Sequence, residues 1–447
     1  MSVDDDPDPA PGFGARSGWS REQAERIERT PSNTAPVVYP PAADPAPDVH
    51  VWDTWFLRER DGSIAEVDGW RVIFSLTAPA DCLPGKRHDV ATIRYFYSRD
   101  GERWHAGGPV FEAGRALGSR QWAGSALYDD DGTVSLFYTA AGFRDEADLT
   151  YHQRIAVGAG GRIDADGDGL ELVGPFDHEI LLAADGDRYE TEAQSRGMIY
   201  TFRDPWFYED PATGETHLLF EANTPVPEGA AVADGDPARQ AFNGSVGLAT
   251  SPTGDPTDWV FEEPILDAVG VNQELERPHV VERDGRYHLF VSSHLHTFAP
   301  DLEGHDALYG FVADSLRGPY RPLNGSGLVL TNPANAPYQT YSWLAYEHAG
   351  ELLVSSFFNY YDLGGLGIDD VGTLPGEEQL RRFGGTVAPT MRLRLDGDRT
   401  RLLGKLAHWH LPAGDDDLPP LLGDLVADGR LGGEGGEETA TYEYSYP

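Results

Sequence analysis

The run Glu274-Leu275-Glu276-Arg277-Pro278 sets two carboxylates two positions apart, with a guanidinium beside them and a proline closing the run. Downstream, Val280-Val281 and Tyr287-His288-Leu289-Phe290-Val291 read as a pair of strands joined by the turn Asp284-Gly285. Glu274 and Glu276 then lie near a strand start and share a face, because side chains alternate along a strand. Like charges on one face oppose each other's ionisation, which raises one pKa and brings a proton donor near neutral pH within reach. The competing reading is a solvated acidic edge, so the decision rests on what other segments bring to the same place.

Two segments bring carboxylates in a similar setting. Asp53 stands in Val51-Trp52-Asp53-Thr54-Trp55, and Asp204 in Phe202-Arg203-Asp204-Pro205-Trp206. Glycoside chemistry asks for such a set: one carboxylate as nucleophile, one carboxylic acid to protonate the leaving oxygen, and polar groups to grip sugar hydroxyls. Trp52, Trp122 and Trp206 offer flat apolar walls for sugar C–H faces, and aromatic walls with few polar anchors are the usual form of a small-ligand site. Taken singly, Trp52 and Trp122 read as core aromatics and Arg203-Asp204 as a structural ion pair. Convergence is what would give them another meaning.

The elements that could produce convergence begin at Val51. Short strands follow one another, separated by Asp-Gly, Gly-Gly and Pro turns, with hardly any helical periodicity, so the fold class is all-β. A unit recurs five times, opening at Trp52-Asp53-Thr54-Trp55, Gln121-Trp122-Ala123-Gly124-Ser125-Ala126, Phe202-Arg203-Asp204-Pro205-Trp206, Glu276-Arg277-Pro278 and Thr340-Tyr341-Ser342-Trp343. A spacing of roughly 65 to 80 residues fits a five-bladed β-propeller whose loops lengthen the usual blade of ~40 to 50 residues. In a propeller the innermost strands meet at one axis, and the openings all face a single funnel. A string of β-sandwich domains is the alternative, but it would place ordinary core residues where Trp, Asp, Glu and Arg recur. Residues 1–47 read as an acidic, Pro-rich arm with one helical candidate, Ser20 to Arg29, capped by Ser20 and complemented by Glu22 and Glu25. Residues 48–410 form the propeller, and 411–447 an acidic, Gly-rich tail.

Composition narrows the partners. The 447 residues carry a formal net charge of -40, and lysine occurs only at Lys86 and Lys405. Such a surface stays soluble where salt screens its self-repulsion, which points to a halophilic organism. It argues against nucleic acid, which needs a positive footprint, and against anionic membranes; a neutral small molecule fits better. Cys82 is the single cysteine, so an internal disulfide and a cysteine-based metal site are both excluded. The N-terminal residues carry neither a signal peptide pattern nor a twin-arginine motif, and no stretch approaches the ~18 apolar residues of a spanning helix. Location stays open between the cytoplasm and export by an unrecognised route. Asp164-Ala165-Asp166-Gly167-Asp168-Gly169 mimics the start of an EF-hand loop, but Pro175 stands at the twelfth position and the surroundings are not helical, so it reads as a solvated turn. The pairs His294/His296 and His408/His410 are not assigned to a metal, and no cofactor is expected.

The four blocks around Trp52-Asp53, Gln121-Trp122-Ala123-Gly124-Ser125, Arg203-Asp204-Pro205 and Glu274-Leu275-Glu276-Arg277-Pro278, in that order, resemble those of the levansucrase and inulosucrase family, family 68 of the glycoside hydrolases. Tyr309-Gly310-Phe311-Val312 and Gly318-Pro319-Tyr320-Arg321-Pro322-Leu323-Asn324 are similar to a later family segment, and the resemblance runs from about Val51 to Gly404. It implies a five-bladed propeller that transfers fructose from sucrose with retention, through Asp53 as nucleophile and Glu276 as acid and base. Retention asks for these two groups ~5 to 5.5 Å apart. Asp204 would grip the fructosyl hydroxyls and stabilise the oxocarbenium-like transition state. Trp52, Trp122, Arg203 and Glu274 would line the donor pocket, with Tyr341 near the acid and His294 toward the acceptor. Three positions depart from the pattern. Ala123 stands where members usually carry serine, His294 where Gram-positive members have arginine and Gram-negative ones histidine, and Gln273 where Gram-positive members have an aspartate that helps hold a structural calcium.

The function these readings imply is a sucrose-dependent fructosyltransferase, taking sucrose as donor and sucrose or a fructan as acceptor, as a monomer. An invertase-like hydrolase shares the same three carboxylates, and a non-catalytic sugar-binding propeller would lack at least one of them. Linkage, β-2,1 or β-2,6, depends on rim loops such as Tyr361 to Gly385. Inulin-type linkage is favoured here because halophilic archaeal members of the family include inulosucrases.

Overall fold

Strands such as Arg71–Pro79, buried at every position but the last, show that the sheets are covered on both faces. They were described in a computed structural model covering residues 17–361 and 363–422. The outer parts of the expected arm and tail, 1–16 and 423–447, lie outside the described residues.

Among the described residues, twenty-four strands run in antiparallel meanders. The first comprises β1 (Val49–Arg58), β2 (Arg71–Pro79), β3 (Thr92–Ser98) and β4 (His105–Pro109). Next come β5 (Arg120–Tyr128), β6 (Thr133–Ala141), β7 (Gln153–Ala165) and β8 (Leu170–Val173), with β9 (Asp177–Leu182) also on β7. The third holds β10 (Phe202–Glu209), β11 (Thr216–Asn223), β12 (Gly244–Ser251) and β13 (Val260–Phe261), with β14 (Leu266–Asp267) also on β12. The fourth holds β15 (Glu276–Arg283), β16 (Arg286–Ser293), β17 (Ala307–Ala313) and β18 (Arg321–Pro322), with β19 (Leu328–Thr331) also on β17. The last has β20 (Thr340–His348) and β21 (Glu351–Tyr360), with β22 (Phe383–Val387) and β23 (Pro389–Asp396) both on β21, and β24 (Arg399–His408) outside. Hydrogen bonding groups them into four sheets rather than five, because a short parallel contact, Leu57 to Ala126 and Arg58 to Leu127, fuses the first two meanders into one sheet of nine strands.

The leading strands stand side by side in a ring: β1 beside β5, β5 beside β10, β10 beside β15, β15 beside β20, and β20 beside β1. Each one changes register near its start, between Trp52 and Trp55, Trp122 and Gly124, Arg203 and Trp206, Glu276 and His279, and Tyr341 and Leu344. In four of them the extra residue is a non-glycine in the left-handed region: Asp53 (φ 44°), Asp204 (φ 58°), Arg277 (φ 50°) and Ser342 (φ 57°). Such residues are strained, and bulges that hold them bend the strand and re-aim its side chains. In β5 the close approach falls at Gly124, where a Cβ would meet the Phe137 carbonyl oxygen at 1.9 Å, so glycine alone fits.

The described residues before β1, from 17 on, lie against this body. Ser20 caps a helix as expected, in a reciprocal capping box with Gln23, but the helix spans only Arg21–Ala24. Contacts with the body flank it on both sides: the Trp19 Nε1 donates to the Ser326 carbonyl at 3.0 Å, Arg29 Nε to the Asn332 carbonyl at 3.0 Å, and the Ala35 amide to the Thr331 carbonyl at 2.8 Å. Asp166 to Gly169 form the turn between β7 and β8, where Asp166 Oδ1 accepts the amides of Asp168 and Gly169, so the EF-hand likeness ends in a hairpin.

Candidate active site

The bulges bring side chains from separate strands to one place. Arg203, on β10, extends its guanidinium between three carboxylates: Nε donates to Glu221 Oε2 at 2.8 Å, and Nη2 to Glu274 Oε1 at 2.8 Å and Glu276 Oε1 at 3.0 Å. Arg277, on β15, reaches the other way. Its Nη1 donates to the Ser342 carbonyl at 2.9 Å and hydroxyl at 2.7 Å, and its Nη2 to the Thr54 carbonyl at 2.7 Å, which ties β15 to β20 and to β1 next to Asp53. Asp204 Oδ2 accepts the Arg277 amide at 3.2 Å, while the Asp204 amide donates to Thr139 Oγ1 at 2.9 Å. Oxygens of Asp204, Glu221 and Glu276 lie within 4.8 Å of one another, close enough to share a cation. Arg203 supplies positive charge to two of the three, so a guanidinium bridges the cluster.

The electrostatics sort these carboxylates. Burial pushes Asp204 up to about 7 against the pull of Arg203, with Glu276 and Asp53 adding to the rise. Burial also raises Glu221, well above the usual range, and raises Asp53, which Arg277 and the Ser342 hydroxyl counter. Glu276 goes the other way. Its burial would raise it, but Arg203, His294 and the Tyr341 hydroxyl, which donates to Glu276 Oε2, hold it below the usual range. The expectation that like charges would raise one of the two glutamates is corrected for Glu276: burial raises Asp204 and Glu221 instead, while the guanidinium between Glu274 and Glu276 offsets their repulsion.

His294 and Tyr341 complete this side. The two rings stack with centroids 3.7 Å apart at 14°, and His296 stacks on His294 at 5.0 Å. His294 Nδ1 pairs with Asp306 Oδ2 at 3.1 Å, and its Nε2 lies 3.9 Å from Glu276 Oε2. Burial would lower this imidazole, but Asp306 first and then Glu276 and Glu274 push it up to about 9, so it carries a positive charge at neutral pH.

A profile of the levansucrase/invertase family, glycoside hydrolase family 68, matches residues 12–407. The chain belongs to glycoside hydrolase family 68. It is 37% identical over 428 residues to a levansucrase of Pseudomonas savastanoi pv. glycinea, across 88% of this chain and 96% of that one. Among solved structures, an inulosucrase from Halalkalicoccus jeotgali bound to kestose is 68% identical with a TM-score of 0.90, across 91% of this chain and 100% of that one. The full-length β-fructofuranosidase of Microbacterium saccharophilum K-1 is 31% identical with a TM-score of 0.78, across 89% and 86% of the two chains.

In this family 68 site several neighbours escaped the sequence reading. Glu221 lies in the apolar run of β11 and is fully buried. Arg87 and His88 come from a 3-10 segment, Pro84–Val90. The His88 ring lies 5.4 Å from Trp52 and 6.0 Å from Trp122, and its carbonyl accepts the Trp122 Nε1 at 3.0 Å. The Arg87 guanidinium lies 5.5 Å from the Trp52 ring and acts electrostatically on Asp53 and Glu276. Burial, with Arg87 and Arg203 beside it, keeps the His88 imidazole neutral. The signal in the sequence was Lys86-Arg87-His88, a basic triplet in a very acidic chain.

One expectation from sequence changes here, at Trp206, and Gln273 gains a structural account. Trp206 packs against Phe56 and His279 with the Arg58 guanidinium 3.7 Å above its ring, past the bulge and deeper along the strands, so it is core rather than a sugar wall. Gln273 donates through Nε2 to the Ile199 carbonyl at 2.7 Å and accepts the Met198 amide at 3.1 Å. Both of its polar atoms are engaged with backbone, so this position does not fit a calcium ligand.

Proposed function

We propose that this protein is a sucrose-dependent fructosyltransferase of the inulosucrase type, which releases glucose and builds fructooligosaccharides or fructan by retaining double displacement. The observation that carries the reading is that Asp53, Asp204 and Glu276 come from β1, β10 and β15 yet interact electrostatically in one cluster. Family membership and similarity to an inulosucrase bound to kestose support it. The ring of five leading strands supports a five-bladed propeller, with the nine-stranded sheet counted as two blades.

In this reading the Asp53 carboxylate attacks the anomeric carbon of the fructosyl unit as the bond to glucose breaks, and the departing oxygen takes a proton from Glu276. The Glu276 carboxylate then removes a proton from the acceptor hydroxyl, which attacks the same carbon and frees Asp53. Arg277 and Ser342 favour the ionised nucleophile against burial. Glu276 acquires its proton in the complex, where the bound sugar deepens its burial, the effect that raises it. The Asp204 carboxylate, whose Oδ2 accepts the Arg277 amide, faces the developing charge without bonding to it.

Hydrolysis is the second reading, favoured by similarity to a β-fructofuranosidase. Incubation with sucrose separates the two: glucose in excess of fructose marks transfer, equal amounts mark hydrolysis. Asp53→Asn and Glu276→Gln are each expected to lower glucose release by at least ~10²-fold, with unchanged far-UV circular dichroism. Substantial turnover in either folded variant overturns the assignment of roles.

A further inference from the structure

The loop between β6 and β7 carries an apolar rim that the donor chemistry does not use. Phe143, Leu149 and Tyr151 are 44%, 50% and 48% exposed. The 3-10 segment beside them adds Val90, also exposed, and the Tyr151 hydroxyl joins the two segments by donating to Asp89 Oδ1 at 2.9 Å. The rim is continuous with the candidate active site, because the Tyr151 ring lies 6.4 Å from the ring of Trp122. Arg120 sits against both rings, 5.2 Å from Tyr151 and 5.7 Å from Trp122. Further out, Phe143 stacks on His152 at 4.9 Å and 14°, with the Arg154 guanidinium 4.6 Å over its ring.

The loop is held rigidly. Glu146 accepts hydrogen bonds from the amides of Phe143 and Thr150, from the hydroxyls of Ser119 and Thr150, and from Arg120. Its aromatic faces are therefore set before any ligand arrives, which lowers the ordering cost of binding. Exposed apolar groups gathered at one place beside a site mark an interaction surface.

We infer that Phe143, Leu149, Tyr151 and His152 form a binding track for the fructan chain outside the donor pocket. The inference rests on the fructosyltransferase reading. The occupant is argued from charge and continuity. A fructan is neutral, presents apolar C–H faces to aromatic rings and hydroxyls to Glu192, which pairs with His152 at 3.4 Å, and it grows from the pocket that Trp122 lines. A second copy would bring another net charge of -40 against the first.

The test compares wild type with Phe143→Ala/Leu149→Ala and Tyr151→Ala, with products sized after equal amounts of glucose have been released from sucrose. The variants are expected to give shorter chains. Their affinity for a short β-2,1-linked fructooligosaccharide, measured by titration calorimetry, is expected to fall about tenfold, which corresponds to about 1.4 kcal/mol. Tyr151→Phe, which keeps the ring and loses the Asp89 bond, is expected to retain wild-type chain length. Unchanged chain length and affinity in both alanine variants overturn the track. A wild-type dimer that the Phe143→Ala/Leu149→Ala variant dissolves without shortening the chains also overturns it, and assigns the rim to self-association. Absence of glucose release by wild type would instead overturn the fructosyltransferase reading.

Discussion

Arg203 and Glu276 meet through Nη2 and Oε1 at 3.0 Å, and the same nitrogen holds Glu274 at 2.8 Å. One guanidinium thus sets the charge of the group assigned as acid and base, while its Nε secures the fully buried Glu221.

Replacing Arg203 with glutamine is expected to leave these carboxylates without their counter-charge. Breaking a buried pair of this kind costs about 3–5 kcal/mol, so the denaturation midpoint should fall sharply. Where folded variant remains, Glu276 loses the group that most lowers it, and the alkaline limb of the pH–rate profile, set by the acid's loss of its proton, should move to higher pH. A profile in register with wild type would mean that Arg203 does not govern Glu276.

Two groups should each lower stability as pH rises, in successive windows. Asp204 rises from 3.8 to about 7 on folding, so the folded state binds the extra proton and stability falls as pH climbs through that window. Asp204→Asn should remove that slope and raise Tm at pH 8, a gain in stability at the expense of activity. His294 rises from 6.5 to about 9, so its contribution is complete below about 6.5 and is lost as pH rises through about 9. His294→Gln should therefore flatten the alkaline side. Calorimetric scans in high salt from pH 4 to 10 test both.

Gly124 has no room for a side chain. Its substitution by alanine forces a Cβ onto the Phe137 carbonyl oxygen at 1.9 Å, against backbone that cannot swing aside. The expected cost is on the order of 1–3 kcal/mol, seen as a lower Tm. Lost activity in protein that is still folded would follow from displacement of Trp122 two residues earlier.

His88 stands between Trp52 and Trp122, both assigned to the donor pocket. His88→Ala should raise KM for sucrose about tenfold, or about 1.4 kcal/mol, with little change in kcat. An equal fall in kcat and kcat/KM would instead place the imidazole at the transition state.

The starts of the five repeating units were legible because each opens with an aromatic or charged segment after a turn, and β1, β5, β10, β15 and β20 fall on those segments. The carboxylates Asp53, Asp204 and Glu276 were legible for the same reason. Glu221 was not: a single charge in Leu218-Leu219-Phe220-Glu221-Ala222 reads as one polar position in a strand, and its meaning comes from Arg203 on the neighbouring strand. The low pKa of Glu276 was hidden likewise, since spacing reveals the repulsion from Glu274 but not the guanidinium that cancels it. Asp53 and Asp204 belong to a residue type that tolerates the left-handed region, but nothing in Arg277 or Ser342 announces it. The fusion of the first two meanders hangs on two residue pairs, too few to leave a pattern.

The Pro84–Val90 segment has a practical side. Cys82, the sole thiol, and Lys86, one of two lysines and with a side chain 70% exposed, sit within five positions of each other on the stretch that delivers Arg87 and His88. A fluorophore coupled there would sit next to the Trp52 and Trp122 indoles, a ready quenching pair for following sugar entry in real time. Amine coupling to a resin through Lys86 would, by contrast, tether the chain by the very segment that carries Arg87 and His88.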